Sequence, residues 1–195
     1  MPIGEEAGKK WDKRYYGFLE FPSPAEVLQQ NIHLLPKQGK ALDLACGLGA
    51  NALMLASHGL QTSAWDISSV AIEKLNEHAC EKGLEIDAQT RDVVARPPET
   101  ESFDVIVVHR FLERKIFPVL INALKPRGLL FYQTFIKQKV SDIGPSNPGY
   151  LLGANELLQL CLPLQILCYR EEAKIGDITQ GFRDMSMLVG CKSVI

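Results

Sequence analysis

The chain has 195 residues, of which 46% are hydrophobic and 23% charged, and its formal net charge is −2. This length is typical of one domain, and no stretch approaches the roughly eighteen consecutive apolar residues of a membrane-spanning helix. Basic residues are interspersed with acidic ones and form no stripe, which disfavours nucleic acid as a partner. Composition and charge therefore argue against a membrane-embedded protein and against one that tracks phosphates.

The five cysteines and four histidines are scattered along the chain. None forms a Cys-x-x-Cys pair, a His-x-x-x-His pair or a mixed cluster, so we predict reduced thiols and no metal site. The first ten residues, MPIGEEAGKK, lack the apolar core of a signal peptide, which predicts a cytoplasmic protein. The sequence supports no prediction of the oligomeric state.

The N-terminal part contains an aromatic segment of mixed charge, WDKRYYGFLEF, followed by AEVLQQNIHLL from Ala25. The spacing of apolar residues in the second segment predicts one amphipathic helix. We expect this part of the chain to pack across the mouth of a sheet.

The middle of the chain alternates apolar runs with segments of helical period. The runs are Lys40 to Cys46, Gln61 to Ile67, Glu85 to Val93, Phe103 to His109, and LLFYQTF after the turn KPRG. Helices are expected to end near His58, to begin at Ser68 or Ser69, and to begin again near Phe117, with Pro118 in the first turn. This alternation predicts parallel βαβ units.

The pattern changes after residue 135. VSDIGPSNPGY is too rich in Gly, Pro, Ser and Asn for regular structure, and it is either a loop over an active site or a plain surface connection. A helix is expected from about Ala154 to Leu160, followed by the runs LQILCYREEA and DMSMLVGCK. Because no helix separates these two runs, they must pair as an antiparallel hairpin. The sequence thus predicts an α/β protein with a mostly parallel sheet.

A glycine-rich loop follows the first run. Gly47, Gly49 and Ala52 fit the G-x-G-x-x-G/A fingerprint of dinucleotide-binding proteins. Glycines at these positions permit a tight turn and a close approach of the backbone to a ligand. Taken alone, the loop is compatible with a nicotinamide site, with another cofactor site or with an ordinary turn.

Acidic residues at three successive strand ends narrow the choice of cofactor. Asp43 lies in the first run, Asp66 ends the second and Asp92 ends the third. Asp66 can accept hydrogen bonds from ribose hydroxyls, and Asp92 from an adenine amine, with Ile67 and Val93 against the ring. Negative charge around a pocket suits a cation better than a pyrophosphate, and the sulfonium of S-adenosylmethionine is such a cation.

The stretches LDLACGLGAN, AWDIS and RDV resemble the class I S-adenosylmethionine-dependent methyltransferases. Within that group, four segments are similar to the branch related to tellurite-resistance methyltransferases: WDKRYYG, ACGLGANALMLASHG, TAWDISSVAIEK and GPSNPGYLLGANELLQL. The resemblance implies a Rossmann-like three-layer sandwich, whose seven-stranded, mostly parallel sheet has its last strand antiparallel. It also implies S-adenosylmethionine as the cofactor.

The resemblance assigns cofactor-binding residues position by position. Asp43, Ala45, Gly47 and Gly49 match the first cofactor motif, Asp66 and Ile67 the ribose motif, and Asp92 and Val93 the adenine motif. His109 matches the position under the methionine part of the cofactor. Trp11, Arg14 and Tyr15 resemble residues that close over the cofactor, although Trp11 and Tyr15 could equally form a packing pair.

The segment HRFLERK, residues 109–115, follows the fourth run, where substrate should meet the methyl group. We predict catalytic roles for His109, Arg110 and Arg114, with the two arginines on one helical face as a bidentate anion site. The alternative is a solvated turn in which Glu113 pairs with one arginine. His109 is either a base, a cofactor contact or simply a hydrogen-bonded residue at a strand end.

We predict one domain over residues 1–195: an N-terminal helical cap (1–35), a cofactor-binding core (36–135), and a lid-like loop, helix and C-terminal β-hairpin (136–195). The leading hypothesis is a methyltransferase with a small-molecule acceptor, such as the oxyanion tellurite or a soft nucleophile such as a thiol. Alternatives are methylation of protein or RNA, a non-catalytic protein that binds S-adenosylmethionine, and an NAD(P)-dependent oxidoreductase.

Overall fold

One sheet of seven strands runs through the computed structural model, which describes residues 3–18 and 20–193. The strands, in chain order, are β1 (Lys40–Leu44), β2 (Gln61–Asp66), β3 (Ile86–Thr90), β4 (Phe103–His109), β5 (Leu124–Phe135), β6 (Leu164–Arg170) and β7 (Met185–Lys192). Their order across the sheet is β3-β2-β1-β4-β5-β7-β6. The pairs from β3 to β5 are parallel, and β7 pairs antiparallel with β5 and β6. The predicted fold class is confirmed.

Helices cover both faces of this sheet and make it the central one of three layers. They are α1 (Ile3–Tyr16), α2 (Glu26–Gln30), α3 (Ala50–Ser57), α4 (Ser69–Glu81), α5 (Phe117–Ala123) and α6 (Glu156–Leu160). Apolar side chains of α2 and α3, such as Leu28 and Leu55, belong to the core on one face. Phe117 of α5 and Leu157 of α6 belong to the core on the other face. None of the helices in the described ranges is long and apolar enough to cross a membrane.

Several element boundaries agree with the local chemistry of the sequence. β4 matches the predicted run residue for residue, and five of its seven residues are buried, as expected for a strand covered on both faces. Ser68 caps α4 through a hydrogen bond that its hydroxyl accepts from Ala71 N–H. Pro118 lies in the first turn of α5, where its missing N–H has no consequence.

The single helix predicted from Ala25 is wrong. α2 ends at Gln30 and a separate 3₁₀ turn covers Ile32–Leu34. Between them Asn31 leaves the helical region, at φ −119°, and its side-chain amide donates to the Val27 carbonyl. Asparagine competes in this way with the main-chain ladder, and the helix stops.

Three other boundaries differ from the prediction. β5 begins before the KPRG segment, whose residues are looped out between the pairs Phe103–Leu124 and Val105–Leu129, with Arg127 at φ +64°. β3 ends at Thr90, so Asp92 lies in the turn beyond the strand. α6 begins at Glu156, two residues after the predicted start.

Strand order reverses between β1 and β4, which are neighbours in the sheet although β2 and β3 lie between them in the chain. The loop after β1 therefore opens at the point where chains of this topology bind ligands, outside the carboxyl ends of the strands.

Candidate functional site

The loop between β1 and α3 has a backbone that few residues tolerate. Ala45, Gly47 and Gly49 all have positive φ, at 55°, 54° and 77°. Gly49 also lies directly before α3, and a Cβ at that position would come within 2.4 Å of a methyl group of Leu75. Glycine is therefore required there for close packing of the loop on α4 as well as for its dihedral angle.

Asp43 anchors this loop from beneath. Its side chain is fully buried, and its carboxylate accepts hydrogen bonds from Asn51 Nδ2 at 3.3 Å and from Ala52 N–H at 3.0 Å. Burial raises the pKa of Asp43 to about 8, and these two hydrogen bonds oppose the rise. The carboxylate thus faces the start of α3.

Asp66 joins the glycine loop to α4. It is 6% exposed, and its carboxylate accepts from Gly47 N–H at 2.8 Å and from Ser68 N–H at 2.9 Å. Burial is the largest influence on its pKa, which is raised, while these main-chain donors stabilise the ionised form. The Asp66 carboxylate therefore links the glycine loop of the first cofactor motif to the end of β2, where the sequence predicts the ribose motif.

The adenine motif lies beside a cavity of about 320 Å³. Ile67, Thr90 and Asp92 line it together with residues of α1. Asp92 Oδ1 accepts from two main-chain N–H groups of its own turn, and Val93 is buried in the apolar core. Of the three acids, Asp92 lines this cavity, whereas Asp43 and Asp66 accept from backbone N–H groups at the start of α3 and in the glycine loop. That the three acids make the cofactor pocket negative stays a prediction.

The helix α1 covers the glycine loop from the N-terminal side. The Tyr15 hydroxyl lies so close to Gly47 that a Cβ there would be 2.7 Å from it. Burial and the nearby Asp66 raise the pKa of Tyr15. Its ring stacks on Trp11 at 5.8 Å between centroids, and the Arg14 guanidinium lies 5.2 Å from the Trp11 ring. Of the N-terminal part, α1 thus lies at the mouth of the sheet, whereas α2 packs on one face of the sheet.

His109 and Arg110 lie at the same mouth, at the end of β4. Burial, followed by the charge of Arg110, lowers the pKa of His109 to about 3, so its imidazole is neutral at physiological pH. Arg110 has φ +56°, and its guanidinium lies 5.8 Å from the centroid of the Phe135 ring. The structure thus brings these two residues together with Arg14 and Tyr15 of α1.

Arg114 does not join them. It begins a 3₁₀ turn, Arg114–Ile116, while Arg110 lies outside any helix, so the predicted shared helical face is wrong. Its guanidinium donates to both carboxylate oxygens of Glu156, at 2.6 and 3.1 Å, and to the carbonyls of Gly149 and Leu151. Arg114 therefore fixes the end of the 136–153 loop. The alternative interpretation, in which Glu113 pairs with one of the two arginines, is also wrong.

Sequence reasoning missed contacts that cross long stretches of chain. Asp12 on α1 accepts from Ser68 Oγ, and Lys74 on α4 donates to carbonyls at the end of α1. The only signal for the first was an acid among the aromatic residues of WDKRYY. Nothing in the periodicity of α4 distinguishes Lys74 from an ordinary surface lysine.

A larger open groove, of about 770 Å³, lies where β1, β2, β3 and β4 begin. It is at the opposite end of the sheet from the glycine loop, and ligands of such sheets bind at the carboxyl ends. Within residues 3–18 and 20–193, no group of three or more His, Cys, Asp or Glu residues is placed to hold a metal ion.

Comparison with known proteins agrees with this geometry. A family model described as a methyltransferase domain matches residues 41–128. Ubiquinone biosynthesis O-methyltransferases of Pasteurella multocida and Histophilus somni are 34% and 32% identical, over 70% and 79% of this chain and 65% and 71% of theirs. The chain thus spans about two thirds of the length of these curated relatives.

Similarity also extends to a probable S-adenosyl-L-methionine-dependent methyltransferase, TehB of Haemophilus influenzae. It is 36% identical over 89 residues, which are 44% of this chain and 31% of TehB. The crystal structure of that TehB superposes with a TM-score of 0.69 at 21% identity, covering 95% of this chain and 67% of that one. The chain belongs to the class I S-adenosylmethionine-dependent methyltransferases, which confirms the predicted enzyme class and cofactor.

The residues present fit this cofactor. Gly47 and Gly49 give the loop its positive-φ backbone, and Asp66 is the only one of the three acids that accepts from both the loop and the residue before α4. The cavity beside Ile67 and Asp92 lies where the adenine motif predicts a ring. Tyr15 and Trp11 stack on each other beside the loop, which fits both the predicted cover over the cofactor and the alternative of a packing pair.

Proposed function

We propose that the protein methylates a small anionic acceptor, either an oxyanion or a thiolate. The observation that carries the proposal is the pair Arg14 and Arg110 at the mouth of the glycine loop. Among the ion pairs of the described residues, neither guanidinium has a carboxylate partner. Two unpaired guanidinium groups at one mouth attract and orient an anion.

Electrostatics at Arg110 support this interpretation. Burial lowers the pKa of Arg110, and the positive charge of Arg14 lowers it further. Each arginine is held against an aromatic ring, Arg14 over Trp11 and Arg110 over Phe135. An anion bound by both guanidinium groups would relieve their repulsion.

The chemistry of His109 favours an acceptor that arrives already ionised. A histidine with a pKa of about 3 is a weak base near neutral pH. A thiolate or an oxyanion needs no base, whereas a neutral alcohol or amide would. His109 is therefore proposed to line the site near the reacting atoms, and we do not propose it as a general base.

Cofactor binding is assigned to the residues around the glycine loop. We expect Asp66 to bind the ribose, Asp92 and Ile67 the adenine, and the loop with Tyr15 the methionine part. Bound S-adenosylmethionine supplies an electrophilic methyl group on a sulfonium. The chain's own contribution is orientation and exclusion of water, to which the aromatic cover of α1 is suited.

The printed names of the relatives are compatible with this proposal. The curated relatives from two organisms are named O-methyltransferases, and an oxygen acceptor that ionises fits a site lined by two arginines. Three expectations stay predictions: that the 136–153 loop acts as a lid, that the chain is one domain, and that the protein is cytoplasmic.

Transfer of a labelled methyl group from S-adenosylmethionine tests the proposal. The panel contains tellurite, selenite, a small thiol and a phenolic acid, together with tRNA and total cell protein. We expect label in at least one small anion, with kcat/KM lowered about 10- to 100-fold in Arg110→Met, because a charged hydrogen bond contributes about 1.5–3 kcal/mol.

Arg127→Met is the matched control, since Arg127 is also an arginine with positive φ but lies at the start of β5. It should leave transfer unchanged. Label found only in tRNA or protein would contradict the small-molecule proposal. Cofactor binding without transfer to any of these acceptors would favour a non-catalytic binding protein.

A further inference from the structure

The contacts of α1 with α4 form a reciprocal pair of helix caps. Asp12 of α1 lies at the N-terminus of α4, where its Oδ1 accepts from Ser68 Oγ at 2.6 Å and from Val70 N–H at 3.3 Å. A carboxylate at a helix N-terminus is stabilised by the unpaired N–H groups and by the helix dipole. The Ser68 hydroxyl also accepts from Ala71 N–H, so it joins the Asp12 carboxylate to the first turn of α4.

Lys74 provides the opposite cap. Its ammonium donates to the carbonyls of Tyr15 at 2.9 Å, Tyr16 at 3.4 Å and Phe18 at 2.7 Å, at the C-terminus of α1. A cation at a helix C-terminus is the favourable partner for unpaired carbonyls. No carboxylate in the described part of the chain forms an ion pair with Lys74.

Two further contacts hold the N-terminal segment close to α4. Gly8 lies so close to the Ile67 carbonyl that a Cβ would be 3.3 Å from that oxygen. Phe21 stacks on His78 with 3.9 Å between ring centroids and 14° between ring planes. The N-terminal segment is thus held along α4 from the end of β2 to the last turns of α4.

The position of Tyr15 makes this attachment relevant to the cofactor. The hydroxyl of Tyr15 lies directly against Gly47, between the loop and the solvent. The two caps lie on either side of Tyr15 in the sequence, at Asp12 and at the carbonyls of residues 15, 16 and 18. Loss of either cap would remove hydrogen bonds that hold α1, and Tyr15 with it, against the loop.

We infer that Asp12 and Lys74 are positioning residues, which hold α1 as a cofactor-retaining cover and set the rate at which cofactor leaves. This inference rests on the proposed cofactor site. Neither residue bonds to the glycine loop itself. Lys74 acts through the end of α1 and Tyr15, whereas Asp12 holds α1 and also lines the cavity beside Ile67 and Asp92.

The test combines two measurements on the full chain and its variants Asp12→Ala and Lys74→Met. Hydrogen exchange of the cofactor-free protein reports opening of α1, and stopped-flow displacement of S-adenosylhomocysteine reports its dissociation rate. Both variants should raise exchange within residues 3–18 and speed dissociation about tenfold or more, since each removes hydrogen bonds to a charged group. The exchange of β4 and β5 should not change.

Three further variants keep the test specific. Lys74→Arg, which can still donate to the carbonyls, should restore most of the slow dissociation. Glu6→Gln on α1 and Lys82→Met after α4 change exposed charges without touching the caps, and both should behave as wild type.

Unchanged exchange of α1 in both variants would overturn the inference. So would faster exchange with unchanged dissociation, because the caps would then hold α1 without retaining cofactor. If the wild-type protein binds no S-adenosylhomocysteine, the proposed cofactor site fails and the retaining role fails with it, whereas the exchange data still show separately whether the caps close α1.

Discussion

The two sides of the mouth are built differently. On the cofactor side, the β1–α3–β2 unit holds its loop with buried carboxylates, Asp43 at 0% and Asp66 at 6% exposure. On the proposed acceptor side, two loops, residues 136–153 and 171–184 (the proposed acceptor loops), present large apolar side chains to solvent, for example Ile143 at 61% and Ile175 at 79%. A buried polar contact restricts the residue types at its position, whereas an exposed loop tip leaves them free.

The proposed acceptor loops are nevertheless fixed at their roots. Asp184 accepts from Val140 N–H, from Ser141 N–H and from Ser141 Oγ, and so joins the start of the 136–153 loop to β7. Arg114 and Glu156 fix the other end of that loop. The difference between the two sides therefore lies in the loop tips, where an acceptor would be selected.

The largest effect is expected at Asp66. Asp66→Ala removes the carboxylate that accepts from Gly47 and Ser68 and that we expect to bind the ribose. Affinity for S-adenosylhomocysteine should fall by about 100-fold or more, the loss expected for two charge-assisted hydrogen bonds. Isothermal titration calorimetry measures it, with Asp87→Ala on the exposed strand β3 as the control. Unchanged affinity would show that the ribose assignment is wrong.

Breaking the root of the acceptor loop should affect stability more than cofactor binding. Glu156→Gln weakens the bidentate pair with Arg114, which is partly exposed, and we expect a loss of about 1–2 kcal/mol in the free energy of unfolding. Urea unfolding measures this loss. Cofactor affinity should stay within about twofold of wild type. A large loss of cofactor affinity with unchanged stability would contradict this expectation, because the Arg114–Glu156 pair would then support the cofactor site and not the fold.

A pH effect is expected from Asp43. Its pKa of about 8 in the folded protein lies above the ordinary value of 3.8, so the folded state retains a proton that the unfolded chain has lost. Its contribution to stability is complete below pH 4 and is lost as the pH rises through about 8.

Cofactor binding should have the opposite pH dependence. A bound sulfonium and ammonium favour ionised Asp43, so affinity for S-adenosylmethionine should rise from pH 6 to pH 9, by at most about tenfold per unit. S-adenosylhomocysteine, which lacks the sulfonium charge, should show a smaller rise. Titration calorimetry in buffers of different ionisation enthalpy measures the proton released. The same slope in Asp43→Asn would assign the effect to another group.

The smallest effects are expected at the loop tips. Ile143→Ser replaces an exposed side chain and should change the free energy of unfolding by no more than about 0.5 kcal/mol. Cofactor affinity should also be unchanged, while KM for the acceptor shifts. Thermal unfolding and methyl-transfer kinetics test this together. A loss of cofactor affinity would mean that the tip belongs to the cofactor side.

Much of the fold was predictable because local chemistry determines it. A continuous apolar run predicts the buried strand β4, a serine before a helical pattern predicts the N-cap at Ser68, and the glycines of the loop predict a tight turn. The partners of Arg114 and Asp12 were not predictable, since they lie 42 and 56 residues away in the chain. The direction of the Asp43 carboxylate was equally hidden, because strand position gives a residue's place in the sheet and not the donor it meets.

The most direct test of the account is the choice of cofactor. Isothermal titration calorimetry of the wild-type protein with S-adenosylmethionine, S-adenosylhomocysteine, NAD and NADP compares the two classes that the glycine loop alone would permit. We expect saturable binding of S-adenosylmethionine and S-adenosylhomocysteine and none of NAD or NADP. Binding of NAD or NADP without binding of either S-adenosyl compound would contradict it.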